Sequence, residues 1–191
     1  MRTPLFKAAL GVFVLLGIGT AATADDYVID PAHSGVTFKI SHLGLSHVFG
    51  RFNDFGGGFT LDSGDAAKSS FKLDIKSQSI DTNNAGRDTH LRSPDFFNVK
   101  QFPAISFTST AVKPIEGGFE VTGDLKLHGE TKPVTFSLKG GQTAEFPRGT
   151  PRTGYSTELV LKRSDFGVGR PMAALGDDVF ISISFEATKK K

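Results

Sequence analysis

Residues 119–139 read FEVTGDLKLHGETKPVTFSLK, and they switch between apolar and polar at every second position. Phe119, Val121, Leu125 and Leu127 fall on one side, and Glu120, Thr122, Asp124, Lys126 and His128 on the other. After the turn signal His128-Gly129-Glu130, Val134, Phe136 and Leu138 alternate with Thr135, Ser137 and Lys139. A period of two marks strands with one apolar and one wet face. That pattern belongs to antiparallel sheets, since parallel strands are usually apolar on both faces.

The same alternation extends in both directions. Upstream, Val36, Phe38, Ile40 and His42 share a face against Thr37, Lys39 and Ser41, and Phe71, Leu73 and Ile75 alternate with Lys72, Asp74 and Lys76. Downstream, Val179, Ile181, Ile183 and Phe185 repeat it, with Phe180 breaking the polar face. Turn signals recur at Gly56-Gly57-Gly58, Asp62-Ser63-Gly64-Asp65, Glu116-Gly117-Gly118 and Gly140-Gly141. Gly117-Gly118 and Gly140-Gly141 suit the positive φ that hairpins require. Short strands joined this way predict an all-β sandwich or barrel. Residues 49–59 fit neither period, because their phenylalanines recur every third position and then meet three glycines.

One segment departs from the alternation. Asn83 or Asn84 is placed to cap a short helix over 85–92, and Ser93-Pro94-Asp95 has the form of a second helix start. This predicts a helical excursion over one end of the sheet, with Phe96 and Phe97 after it as a lid or plug.

The first 24 residues read as a cleaved secretory leader. Arg2 and Lys7 precede an uncharged apolar stretch too short to span a bilayer comfortably, and Ala22-Thr23-Ala24 offers a small-residue cleavage site. Residues 25–191 then form one domain. Arg2 and Lys7 belong to the leader, so the remaining basic residues of the 22 in the chain balance its 20 acids. A neutral domain gives no electrostatic argument for nucleic acid, and Lys189-Lys190-Lys191 reads as a solvated tail. Cysteine is absent, which removes disulfides, thiolate chemistry and cysteine metal sites. Phenylalanine dominates the aromatics, 18 against 2 tyrosines and no tryptophan. It offers a large apolar face with no polar atom. Such residues fill a core or line a hydrocarbon site, and an eight-stranded barrel is the size at which either outcome occurs.

Several motifs carry a resemblance. They are Tyr27-Val28-Ile29-Asp30-Pro31-Ala32-His33-Ser34, the run 36–44, Gly50-Arg51-Phe52, the run 87–97, Phe102-Pro103-Ala104-Ile105-Ser106-Phe107, the run 121–129, Thr131-Lys132-Pro133-Val134, and Arg163-Ser164-Asp165-Phe166-Gly167. Together, in order and over almost all of residues 25–191, they resemble the YceI-like family of bacterial periplasmic proteins. The resemblance implies a lipocalin-like, eight-stranded antiparallel barrel with a short helical segment over one end. It further implies binding of polyisoprenoids, isoprenoid quinones or fatty amides, a periplasmic location and no established enzymatic activity. Gly56-Gly57-Gly58 is richer in glycine than the family pattern, and the run 170–174 is variable territory.

The inward faces nominate Phe38, Ile40, Phe71, Leu73, Ile75, Phe107, Leu125 and Leu127 as tunnel lining, with Phe97 from the excursion. Core packing and ligand contact are both open for each. Arg87, Asp88 and His90, with His42 from the apolar face of its strand, are headgroup candidates because a charge-assisted bond would select a quinone or phosphate end. The alternative is an Arg–Asp–His network pinning the helix to the barrel. No metal is expected: His42 and His47, five apart in an extended chain, would face opposite sides, and no His-x-His or His-Glu-x-x-His motif occurs. No Gly-x-Ser-x-Gly elbow or phosphate-cradling loop occurs either. The expected role is a lipid carrier with no cofactor beyond its ligand. A scaffold serving a membrane or membrane-cytochrome partner, and an enzyme acting on such a lipid, are the competing readings. The assembly would be a monomer or a homodimer.

Overall fold

The computed structural model describes residues 24–190. Apart from Ala24, the leader lies outside the described residues. Ten strands follow in order: β1 (Ala24–His42), β2 (Ser46–Phe52), β3 (Phe55–Asp62), β4 (Ser70–Lys76), β5 (Ile80–Asp81), β6 (Ala104–Ile115), β7 (Gly118–Leu127), β8 (Glu130–Glu145), β9 (Pro151–Lys162) and β10 (Leu175–Lys189). One helix, α1 (Ala85–Arg92), lies between β5 and β6. All pairings are antiparallel. The ring β1–β3–β4–β6–β7–β8–β9–β10 closes where β10 returns to β1, and β2 and β5 are two additional strands. The expected eight-stranded antiparallel barrel with a short helix is the observed fold.

β1 makes the closure possible. It pairs with β10 from Tyr27 to His42 and changes its other neighbour along the way: 24–28 meet β3 and 36–42 meet β2. The change occurs at a bulge between Asp30 and Gly35. The Asp30 carboxylate accepts from Ala32 N–H at 3.1 Å and from Arg152 Nη1 on β9 at 2.7 Å, which secures the bulge to the wall. Ser34 Oγ donates to the Asp30 carbonyl at 2.7 Å. His33 Nδ1 lies 2.9 Å from the same carboxylate, so this motif histidine has a structural partner.

Two expected turns are not turns. Gly56-Gly57-Gly58 lies inside β3, paired with both β1 and β4. A Cβ on Gly58 would meet the Tyr27 carbonyl and one on Gly57 the Lys72 carbonyl, so glycine there lets strands approach closely. Gly140-Gly141 lies inside β8 at a bulge opposite Tyr155. Glu116-Gly117 and His128-Gly129 are two-residue hairpin loops; His128 and Gly129 both have positive φ, as a primed turn needs. Residues 49–59, which fit no period, form β2 and β3 with a break at Asn53-Asp54. Asn84 caps α1 by accepting from Arg87 N–H at 2.9 Å. Ser93-Pro94-Asp95 starts no second helix: Ser93 is the C-terminal cap of α1, and its hydroxyl accepts from Asp95 N–H at 3.2 Å, closing a turn.

The interior divides along the barrel axis. At one end Tyr27, Phe59, Phe71, Phe119, Tyr155 and Phe185 stack ring on ring; Phe59 alone touches Tyr27, Phe71, Tyr155 and Phe185 with centroids 4.9–5.8 Å apart. Burial pushes the Tyr155 phenol above its usual pKa. At the other end Val36, Phe52, Ile75, Ile80 and Ile105 form a second buried cluster around an open space. Outward positions such as Lys39, Lys72, Asp74, Lys76, Asp124 and Lys126 carry the polar face, so the barrel is apolar inside and largely wet outside. That is the inverse of a barrel that spans a bilayer. No helix among the described residues is long and apolar enough to cross a membrane.

A packed end and a hollow end should respond differently to truncation. Phe59→Ala is expected to cost about 3–5 kcal/mol in urea unfolding of ligand-free protein. Leu127→Ala, at the hollow end, is expected to cost less than about 2 kcal/mol, since fewer contacts are lost. The Arg152 guanidinium and the His33 ring hold Asp30 down from 3.8 to about 2. A depressed carboxyl stabilises the fold fully above its unfolded pKa and loses that contribution as pH falls through the folded value. Asp30→Asn should therefore flatten the acid limb of the urea-midpoint profile between pH 3.8 and about 2.

Candidate functional site

The open end of the barrel encloses a cavity of about 490 Å³. Ligand sites of this kind run to several hundred cubic ångströms with mainly apolar walls. Alternation builds these walls strand by strand. β1 contributes Val36, Phe38 and Ile40, β7 Leu125 and Leu127, β9 Leu159 and Leu161, and β10 Val179, Ile181 and Ile183. Phe38, Leu73, Leu125 and Leu127 are only half-buried, because one side of each faces the empty space. Phe71 and Phe107 belong to the packed end and meet the cavity as its floor.

On one side the wall is not strand. β2 pairs with β5 only through Arg51 and Phe52, leaving residues 46–50 with a free edge. Beyond it α1 and the following turn bring Leu91, Phe96 and Phe97 to the cavity. Phe97 stands edge-on to Phe52 at 5.9 Å, and Phe96 edge-on to His90 at 5.0 Å. The helical excursion is thus a panel of the wall.

The headgroup candidates separate. His42, Arg87 and His90 line the cavity and are exposed at its mouth; Asp88 does not line it and is buried. Asp88 instead accepts from Thr82 N–H at 2.9 Å and from Thr82 Oγ1 at 2.5 Å. Arg87 Nε donates to Thr82 Oγ1 and its Nη2 to the Thr82 carbonyl, both at 2.7 Å. Arg87 and Asp88 therefore join through Thr82 in a network that seats α1, and Arg87 also borders the mouth. His90 stands outside that network, with Nε2 at 3.2 Å from Asp95 Oδ2. His42 and His47 are not on one strand: a hairpin separates them, His42 facing the cavity and His47 standing edge-on to the outward Phe180 ring at 6.3 Å. No cluster of metal-ligating side chains exists among the described residues.

Leu159, Leu161 and Arg163 are among the lining residues that the sequence did not reveal. Leu159 and Leu161 flank Val160, and three consecutive apolar residues hide which face is inward. Arg163 is buried at the mouth, its Nε donating to the Gly176 carbonyl at 2.9 Å and its Nη1 to the Val168 and Arg170 carbonyls at 3.0 and 3.1 Å. It thereby shapes the loop between β9 and β10. Ser164 Oγ and N–H donate to the Asp177 carboxylate at 2.7 and 3.0 Å, closing the base of that loop and lowering the Asp177 pKa. No Asp or Glu contributes to the lining among the described residues. The mouth thus presents donors and imidazoles to whatever occupies the apolar space below.

These features define a closed antiparallel barrel with one apolar chamber opening at one end. A YceI-like domain model matches residues 27–187, and the chain belongs to the YceI family. It is 40% identical over 173 residues to Protein YceI of Escherichia coli, covering 90% of this chain and 91% of that one. The crystal structure of BcnA from Burkholderia cenocepacia superposes with a TM-score of 0.76 at 25% identity, covering 84% of this chain and 99% of that one. A polyisoprenoid-binding domain from Saccharophagus degradans has a TM-score of 0.62 at 17% identity, covering 86% of this chain and 98% of that one, a likeness of fold.

The α1 seat is testable apart from any ligand. Thr82→Val removes the hydroxyl that bridges Arg87 to buried Asp88 and is expected to destabilise the protein by about 1.5–3 kcal/mol in chemical denaturation. Val36→Thr, in the buried apolar cluster with Ile80, would instead add an unpaired hydroxyl and serves as the contrasting control.

Proposed function

We propose that the protein is a periplasmic carrier that sequesters one long-chain lipid, an isoprenoid quinone, polyprenol or fatty amide, in the barrel chamber. The observation that carries this reading is a cavity of about 490 Å³ walled by inward aliphatic and phenylalanine side chains in a protein whose opposite end is packed solid. A solid scaffold has no need of such a space. Membership of the YceI family and the fold shared with a polyisoprenoid-binding domain support the same ligand class.

The energetics suit a hydrocarbon guest. Each buried methylene contributes roughly 0.8 kcal/mol, so one five-carbon isoprene unit offers about 3–4 kcal/mol before ordering costs. Phe38, Ile40, Leu73, Ile75, Leu125, Leu127 and Phe97 would hold the chain, with Phe71 and Phe107 beneath it. Arg87, His90 and His42 would meet a quinone or other acceptor headgroup at the mouth. Selectivity would rest on chamber length and these few donors. The role is binding and not turnover, with the lipid as the only bound molecule. Residues 1–24 would direct export and be removed, leaving residues 25–191 as the working domain.

Organic extraction of the purified protein followed by mass spectrometry should release a long-chain lipid, and delipidated protein should take up added polyprenyl quinone. Leu125→Trp fills the chamber and is expected to weaken that uptake at least about tenfold with the fold intact. Absence of both lipid and uptake in the unaltered protein ends the proposal.

A further inference from the structure

We propose that the lip of the barrel is a membrane-docking surface, through which the chamber exchanges its lipid directly with a bilayer. The inference rests on the carrier reading above and names the partner it requires. A chain that gains free energy with every methylene it buries loses as much on crossing water. Loading is therefore fast only if the chamber mouth touches the bilayer that holds the lipid.

The mouth is built for such contact. The turn joining β1 and β2 projects Leu43 and Leu45, which are 57% and 84% exposed. Leu43 N–H donates to the Ala174 carbonyl at 2.7 Å, tying this turn to the loop between β9 and β10 as one lip. That loop carries Met172, 41% exposed and also part of the chamber lining. Exposed apolar side chains thus stand both at the tip of the lip and at the chamber opening. Further down the outer wall, below a polar rung of His47, Ser41, Asp178 and Lys162, Phe49, Lys39, Phe180 and Val160 occupy one rung across β2, β1, β10 and β9. The Lys39 ammonium lies over the Phe180 ring, 5.2 Å from its centroid, in a cation–π contact. The exposed leucines of the lip and Met172 suit contact with the polar–apolar boundary of a bilayer.

Backbone geometry strengthens the argument. Leu43 and Gly44 have φ of 56° and 69°, a turn with both central residues left-handed. Asparagine, aspartate or glycine adopts that conformation readily, whereas a leucine there is disfavoured. An exposed leucine in a strained position serves no packing need of the fold; contact with lipid gives it one.

The same geometry provides a variant that preserves folding. Leu43→Asn with Leu45→Ser relieves the strain and should leave thermal stability equal or higher. The test is co-sedimentation of the purified protein with vesicles of phosphatidylethanolamine and phosphatidylglycerol, beside uptake of a polyprenyl quinone presented in detergent. The unaltered protein should sediment with vesicles, and the lip variant should partition at least about tenfold more weakly. Val28→Ser with Phe146→Ser, which alters exposed apolar residues at the packed end, should sediment like the unaltered protein. Uptake from detergent should be the same in all three. Equal partitioning of the unaltered and lip-variant proteins overturns docking through the lip. Uptake without any vesicle binding overturns lipid docking, leaves the carrier reading standing and assigns the lip to a protein partner. Vesicle binding without uptake removes the carrier reading, and with it the argument from lipid exchange.

Discussion

Strand β1 is hydrogen-bonded to β10 along one edge and to β3 and then β2 along the other, and this shared strand turns an open meander into a ring. Closure removes the free edges that a sheet would otherwise expose. It also commits every second side chain to one enclosed volume. The bulge at 31–34, held by Asp30 and Arg152, lets β1 serve two neighbours without losing register with β10. The interior, and whatever it holds, depends on that pairing.

Within the ring, side-chain volume decides what is solid and what is hollow. Rings converge from six positions at the end where the chain enters β1, and they stack on one another. At the other end the inward residues are mostly leucine, isoleucine and valine, which do not reach across the bore. The chamber is therefore a consequence of which apolar residue stands at each inward position, with no need of special backbone. The exception is the side where β2 loses its partner, and there α1 with Phe96 and Phe97 replaces the missing strands. Thr82, Arg87 and Asp88 belong to the support of that panel, which places Arg87 at the border between structure and site.

The chemistry of the mouth follows from the same economy. Below it the walls offer almost no polar atom; around it stand Arg87, His42 and His90, with Arg163 fixing the neighbouring loop. An apolar chain with an acceptor at one end matches this distribution, and the lip beside it carries the exposed side chains of Leu43, Leu45 and Met172. On the outer wall one rung sets Phe49, Phe180 and Val160 beside Lys39.

Much of the fold was legible because alternation is a local property: a residue's side of a strand follows from its parity, and the parity of Phe38, Leu73, Leu125 and Leu127 placed them correctly toward the interior. The hairpins at Gly117 and Gly129 and the Asn84 cap were legible for the same reason, since each is decided within a few residues. What tertiary structure alone decided was non-local. Gly56-Gly57-Gly58 and Gly140-Gly141 have the composition of turns, yet neighbouring strands approach them so closely that glycine is needed inside a ladder. Leu159 and Leu161 showed no parity until β10 fixed their register. The division between Asp88, buried under α1, and His90, standing at the mouth, depends on how the helix is rotated against the barrel, and no periodicity along one chain segment contains that angle.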